Sequence, residues 1–508
     1  MDCPERFYEE LADGIILAKL INHASLDCID ERALNFPSPA RPMLSIFQKM
    51  ENLQIVVSSA KAIGCSVINV GPADIYEKSI HIVLGLVWQI IRIDLLSTIN
   101  LKCHPELFQV MEDEPNSASA NSPDSTTSSC VVQKELDHEG LLLRWINWHL
   151  KQSEAAATVG PVKNFSSDLA DCRALVVLLH QLDNNSISLR TSLNNPYVAE
   201  RAEAVVRAAG FLKCAQFITV ESLLGGNPRL NLAFLANLFK HHSGLSPLGK
   251  GEEQKLLKLV EVESEEADRE SRAFSFWINN IAAAGVGSHS CQVKNLFHDL
   301  RDGIVLLRVI DTIREGSVNF RTVYFPPPRL SKFKMIENTN YVVRLVKEMG
   351  LVVVGIQGCD IVEGNVKLTL ALVWQLMREH IVQTLCKGGV ERLSDSDLLA
   401  WANMAALSCA ANAEEQLTAS SFKDSRLRDS RYFLYIMDYL KPGCVNYSLL
   451  TTGGGDAEGA GLKENARYAL TVARKLGAVL FVMPEDIVEG NSKMILTLVA
   501  SLMKLKRE

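Results

Sequence analysis

"LADGIILAKLIN" at residues 11–22 and "LRDGIVLLRVID" at residues 300–311 are nearly one string, met twice in a single chain. Two weaker copies, "LADCRALVVLLHQL" (169–182) and "LRDSRYFLYIMDYL" (427–440), keep the leucine, the aspartate and the apolar run that follows. Four copies make the chain a repeat of related modules. Two further pieces recur around this string. One is a Trp-bearing amphipathic segment, "LLLRWINWHL" (141–150), "AFSFWINNI" (273–281) and "LLAWANMAAL" (398–407), carrying Trp145, Trp277 and Trp401. The other is a turn followed by a long apolar stretch: "ADIYEKSIHIVLGLVWQIIR" (73–92), "ESLLGGNPRLNLAFLANLFK" (221–240), "CDIVEGNVKLTLALVWQLMR" (359–378) and "EDIVEGNSKMILTLVASLMK" (485–504). The step from Ile361 to Ile487 is about 126 residues, far beyond solenoid periods, so each unit is expected to be a self-contained domain.

Every recurring piece reads as helix. Leu368, Leu372, Leu376 and Leu370, Val373, Met377 recur at three and four, the spacing that lines one helical face. Asp13, Asp171, Asp302 and Asp429 stand where an acidic side chain accepts a helix-start N–H. The residue after each is small (Gly14, Cys172, Gly303, Ser430), which invites close approach by another helix. "FQKMENLQIVVSSAKAIG", "FKMIENTNYVVRLVKEMG" and "LKENARYALTVARKLG" also show helical spacing, and end at Gly64, Gly350 and Gly477 as C-terminal caps would. The fold class is therefore all-α. The expected boundaries are 1–112, 136–245, 267–387 and 391–508 for the modules. A Ser-rich tether covers 113–135 ("DEPNSASANSPDSTTSS" within it), and a charged linker covers 246–266. A division into halves near residue 250 is expected, with residues 265–508 folding alone.

Composition excludes several function classes. At 508 residues, 47% apolar and 22% charged, the chain has the make-up of ordinary globular protein, spread over several cores. A net charge of -7 gives no support to a general nucleic-acid binder. The 12 cysteines fall singly, without a CxxC pair, and read as free thiols of a reducing compartment. "MDCPERFYEE" has acids where a signal peptide is basic, and "IHIVLGLVWQII" (80–91) stops short of the roughly 18 apolar residues of a membrane span. A cytoplasmic protein without a membrane span is expected.

No complete catalytic or metal signature stands in the sequence. "TTGGGDAEGAG" (451–461) lacks the Lys-Ser/Thr of a phosphate loop and reads as an inter-helix loop. Asp395 and Asp397 in "LSDSDLLAW" lack the Gly and closing Glu of a calcium loop and fit helix N-capping. His241 and His242 have no third ligand nearby in sequence. The repeated aspartates have no recurrent His or carboxylate beside them for acid/base chemistry. No cofactor, no metal and no enzymatic activity are expected.

The order of Trp helix, "DGIVLLRVID", "IENTNYVVRLVKEMG" and "DIVEGNVKLTLALVWQLMREH" resembles the calponin-homology domain. The tandem of four, over nearly the whole chain, is similar to the fimbrin (plastin) family. The resemblance implies two module pairs, each binding actin filaments, joined in a monomeric crosslinker that bundles them in the cytoskeleton. A microtubule-binding or signalling scaffold is the alternative use of such domains. By position, the family's filament contacts fall on His81, Gln89 and Arg92 in module 1, Arg144 and His149 in module 2, and Lys367, Gln375 and Arg378 in module 3. No EF-hand loop of the kind that opens fimbrins occurs in these residues, which places calcium control by that route in doubt. In the other modules the Trp precedes the Asp by about 25 to 28 residues, so the matching Trp of module 1 falls before Met1. Part of the module 1 core is then expected to face water, with the first pair less stable and the weaker binder.

Overall fold

The computed structural model describes all residues except 1–2, 27, 40, 68, 102, 112–137, 250, 252–264, 283–292, 326–329, 387–392, 410–417, 452–457 and 508. The Ser-rich tether, most of the charged linker and the glycines of 453–455 lie outside the described residues. Among those described, structure is helical apart from one isolated bridge, Ser38 to Arg41. Module 1 holds α1 (Cys3–Leu11), α2 (Ile15–Ala24), α3 (Ile46–Ala62), α4 (Pro72–Tyr76) and α5 (Ile80–Ser97). Module 2 holds α6 (His138–Gln152), α7 (Arg173–Leu182), α8 (Leu189–Asn194), α9 (Val198–Phe211), α10 (Val220–Leu224) and α11 (Pro228–His241). Module 3 holds α12 (Glu265–Ala282), α13 (Leu296–Asp299), α14 (Ile304–Ile313), α15 (Lys332–Glu348), α16 (Gly358–Glu363) and α17 (Val366–Cys386). Module 4 holds α18 (Asp395–Cys409), α19 (Arg431–Leu440), α20 (Glu458–Lys475), α21 (Pro484–Glu489) and α22 (Ser492–Arg507).

The repeated Asp-small pair works by a different geometry from a plain N-cap. The aspartate sits one residue ahead of the cap: Asp13, Asp171, Asp302 and Asp429 each accept, through Oδ1, the N–H two residues on. Between them the cap residue takes the left-handed region, with φ of 79° at Gly14, 61° at Cys172, 75° at Gly303 and 66° at Ser430. Glycine enters that region without steric cost, and the two non-glycines are held there under strain. Close approach matters too, because a Cβ on Gly303 would meet the Asn338 Cβ at 3.1 Å. Gly64, Gly350 and Gly477 end α3, α15 and α20 at φ of 100°, 77° and 97°, as C-terminal glycines do.

The Trp helix is a core element. Trp145 and Trp277 are 0% and 1% exposed, and Trp401 is partly buried against the module 4 core. α6 packs on α7, and more lightly on α11; α12 packs on α14 and α17; α18 packs on α19 and α22. In module 1 the matching positions face solvent: Ile16 is 38% and Leu84 44% exposed, and Leu20 and Val87 are half-buried.

The expected division near residue 250 is corrected. The chain forms two compact units, residues 1–90 with 265–508, and residues 91–264. The first unit holds module 1 together with modules 3 and 4, because polar groups of residues 28–51 dock on module 4. Asp30 N–H donates to Thr471 Oγ1 at 3.0 Å. Arg32 forks onto Asp30 and donates to the carbonyls of Leu449 (2.8 Å) and Glu464 (3.0 Å), its guanidinium 5.5 Å over the Tyr468 ring. Arg474 donates to Cys28 O at 2.7 Å and Lys475 to Ala33 O at 3.0 Å, while Glu51 pairs with Lys441 at 2.7 Å. Burial works to raise the Glu51 carboxyl, and the hydrogen bonds from Lys441 and Asn35 with the charge of Lys475 bring it below its ordinary value. In the same unit modules 3 and 4 meet through Phe276 and Phe481, and through Lys493 paired with the buried Glu270 at 2.9 Å.

In the second unit the chain leaving α5 runs on to a 3-10 turn, Pro105–Val110, that packs on α6 and buries Leu107 and Phe108. α5 also corrects the reading of its apolar stretch. The helix does not stop at Ile91 but continues past Arg92 and Asp94 to Ser97, giving 18 residues of mean hydropathy 1.6, long and apolar enough to cross a membrane by length and composition. Its place in the repeat is that of the core helices α11, α17 and α22.

Candidate functional site

The module 1 and module 3 candidates occupy matching positions on matching helices. His81, Gln89 and Arg92 on α5 correspond to Lys367, Gln375 and Arg378 on α17, around the shared "LVWQ". Offsets of eight and eleven residues, at about 100° per residue, keep each set within an arc of about 80°. His81 and Lys367 are exposed, and the other four are half-buried. One helix face in each of the two modules therefore carries a basic or titratable residue, an amide and an arginine in the same order.

Both arginines are already engaged inside the chain, and in the same way. Arg92 Nε donates to Glu139 Oε1 at 2.8 Å, in the first turn of α6. Arg378 Nη2 donates to Asp395 Oδ1 at 2.8 Å, in the first turn of α18. Glu139 and Asp395 each precede the module's tryptophan by the same interval in the repeat, so both pairs tie a leading module's last long helix to the trailing module's first. Side chains exposed by 30% to 47% keep such a pair at about 0.2–1 kcal/mol. It orients more than it stabilises. Gln89 is engaged as well: its amide accepts from Ser66 N at 2.6 Å and donates to Ser66 O at 3.1 Å.

The two module 2 candidates separate. Arg144 is half-buried on α6. His149 is corrected: it is 3% exposed, on the core side of α6, and cannot serve as a surface contact. Its Nε2–H donates to Ser243 O at 3.0 Å, the carbonyl that also receives Trp145 Nε1–H at 2.7 Å, and its ring stands edge-on to Trp145 at 5.4 Å. Burial pushes the imidazole below its ordinary value against the opposing hydrogen bond, so it is neutral at pH 7. A spacing of four from a core tryptophan was the signal for this placement.

The other motifs resolve as local structure. Ser394 and Asp397 cap α18 reciprocally, Ser394 N–H to Asp397 Oδ2 at 2.8 Å and Asp397 N–H to Ser394 Oγ at 3.3 Å. The His242 ring lies 3.1 Å from Leu212 O. Among the described residues no group of three His, Cys, Asp or Glu side chains is placed to hold a metal ion.

The calponin homology (CH) domain matches the chain at residues 2–95, 136–244, 268–381 and 393–508. Fimbrin of Saccharomyces cerevisiae is 41% identical over 99% of this chain and 74% of its own length, and fimbrin of Schizosaccharomyces pombe 40% over 98% and 76%. The chain belongs to the fimbrin family. Plastin-3 of Rattus norvegicus is 36% identical over 98% of this chain and 74% of its own length. The crystal structure of the actin-crosslinking core of Schizosaccharomyces pombe fimbrin superposes with a TM-score of 0.78 at 38% identity, covering 98% of this chain and 92% of that one. The four calponin-homology modules and the all-α fold follow from these matches. They run across all four modules, so likeness to the family includes their order.

Proposed function

We propose that this chain binds actin filaments through each of its two module pairs and crosslinks them into bundles, as a monomeric structural component of the cytoskeleton rather than an enzyme. The observation that carries the reading is the duplication: one helix face, with the same amide and arginine, stands in modules 1 and 3 of a chain resembling a fimbrin actin-crosslinking core. A crosslinker needs two filament sites in one molecule, and two weak sites on one chain gain from avidity. Modules at 1–112, 136–245, 267–387 and 391–508 are the working boundaries of this reading. Filament contacts are assigned to His81, Gln89, Arg92, Arg144, Lys367, Gln375 and Arg378.

Low-speed co-sedimentation with actin filaments tests bundling, with microtubules run beside them. The expected result is bundled actin at micromolar protein and no pelleting with microtubules; the reverse preference overturns the reading. Arg378→Glu is expected to weaken filament binding with melting nearly unchanged. Asp395→Ala frees the same arginine without reversing its charge, and is expected to leave binding intact. Equal losses in both variants would assign the effect to the ion pair and remove Arg378 from the contact list.

A further inference from the structure

We propose that two exposed aromatic corners, Phe36 with Phe47 in module 1 and Phe325 with Phe333 in module 3, form a second filament-contacting surface that seats each end of the molecule in an apolar recess of the filament. This rests on the reading as a crosslinker and lies outside the α5 and α17 face. The register comes from one buried asparagine per module, which holds the loop ahead of its helix. Asn52 Oδ1 accepts from Asn35 N at 2.8 Å, Asn338 Oδ1 from Tyr324 N at 3.0 Å and Asn465 Oδ1 from Thr451 N at 3.0 Å, and each Nδ2 donates back to the carbonyl of the same residue. In module 2 Arg201 takes that place, donating to Asp171 O as Asn52 and Asn338 donate to Asp13 O and Asp302 O. Five residues earlier stand Phe47 and Phe333 in the leading modules, but Pro196 and Ala460 in the trailing ones.

Phe47 and Phe333 are 83% and 70% exposed. Phe36 and Phe325, each directly after the residue that the asparagine pins, are exposed beside them. Met43 and Ile46 extend the first corner, and Tyr324, with Lys334 Nζ 5.3 Å over its ring, extends the second. Packing does not call for these rings. Each phenylalanine stands second in its helix, after the caps Ser45 and Ser331. The apolar residue that fixes entry to such a helix precedes the cap, and here Leu44 and Leu330 fill that role, turned inward. Clustered exposed apolar side chains mark a surface that meets a partner. Duplication identifies the partner, because what both ends of a crosslinker meet is the filament, whereas a partner met once needs one corner. Position agrees with this. Lys332, beside Phe333, pairs at 3.3 Å with Glu363, the last residue of α16 and four before Lys367. In module 1 α3 packs likewise on α4, which ends five residues before His81.

The test is co-sedimentation of the full chain with actin filaments, at high speed for binding and at low speed for bundling. Phe47→Asp and Phe333→Asp each disable one end, so either should lower bundling at least fivefold while binding persists through the other end. The double variant should lose binding at least tenfold. Tyr197→Asp is the control: this module 2 tyrosine follows Pro196 and is exposed, and its change should leave both readouts as they are. Circular dichroism and melting confirm that the variants are folded, and Phe→Ser at both positions replaces the aspartates if these lower the melting temperature. If the unaltered chain pellets with filaments and the folded double variant pellets equally, the aromatic surface is overturned while the filament reading stands. If the unaltered chain does not pellet, both fall. Phosphatidylserine vesicles run in parallel separate another occupant: vesicle binding lost in the double variant, with filament binding unchanged, assigns the corners to a membrane and overturns the proposal.

Discussion

Arg32→Ala removes the side chain that does most to join module 1 to module 4. The guanidinium donates to two module 4 carbonyls, Leu449 O and Glu464 O, lies over the Tyr468 ring, and neutralises Asp30, which is only 6% exposed. Two charged hydrogen bonds at the lower end of their range, about 1.5 kcal/mol each, and a cation–π contact of about 0.5 kcal/mol set the scale. Water reaching the freed carbonyls returns part of this, since the Arg32 side chain is 30% exposed. Leaving Asp30 without its partner adds to the cost. A net loss of about 3 kcal/mol corresponds to roughly a hundredfold increase in opening of the contact. The readout is hydrogen exchange at the Asp30 amide, whose N–H is held by Thr471, and along α20. The Asp30 amide should lose protection by that factor, whereas Arg32→Lys, which keeps the charge but not the fork, should lose less. A change under threefold would refute the reasoning, because the contact would then rest on α3 packing against α20 and not on Arg32.

Three further outcomes follow from named geometry. Ser430→Gly should stabilise module 4 by about 1 kcal/mol in chemical denaturation, since it relieves a left-handed serine and deletes a buried hydroxyl that has no hydrogen-bond partner. Burial pushes the Asp486 carboxyl up to about 6 from 3.8, with Arg269 opposing and Glu485 and Glu489 assisting. The folded chain therefore binds the extra proton between about pH 4 and 6, so stability falls as pH rises through that window, by about 3 kcal/mol at full effect; urea midpoints should show this slope, and Asp486→Asn should flatten it. α2 should exchange its amide hydrogens faster than α14, because Ile16 and Leu20 are less covered than Val305 and Val309. Equal protection of the two helices would refute the link between this exposure and local opening.

Most of the architecture is legible in repeated strings. The tryptophans, the Asp-small pair and the terminal glycines mark helices whose ends and buried faces follow from spacing alone, and Trp145, Trp277 and Gly350 sit where that spacing puts them. The left-handed cap was less legible, because a small residue after an aspartate signals close approach and positive φ alike, and Gly303 turns out to need both. Likeness to the family puts His149 on the surface, whereas its four-residue step from the core Trp145 puts it inside, and the step decides. The pairing of Arg92 with Glu139 and of Arg378 with Asp395 joins helices of different modules, and no local pattern reports it. The dock of residues 28–51 on module 4 was invisible for a related reason. Its side chains are charged and sit on a loop and a helix face that read as solvated in either sequence context.

The same dock has a consequence for the order of events during synthesis. The N–H of Asp30 and the hydroxyl of Thr471 are 441 positions apart. At roughly 5–20 residues per second on the ribosome, the module 1 segment waits on the order of 20–90 s for the helix that receives it. Through that interval Asp30 and Arg32 can satisfy only each other, and the nascent first module stands without its fourth. Assembly of this contact is therefore a late step, whose partners are made 441 residues apart.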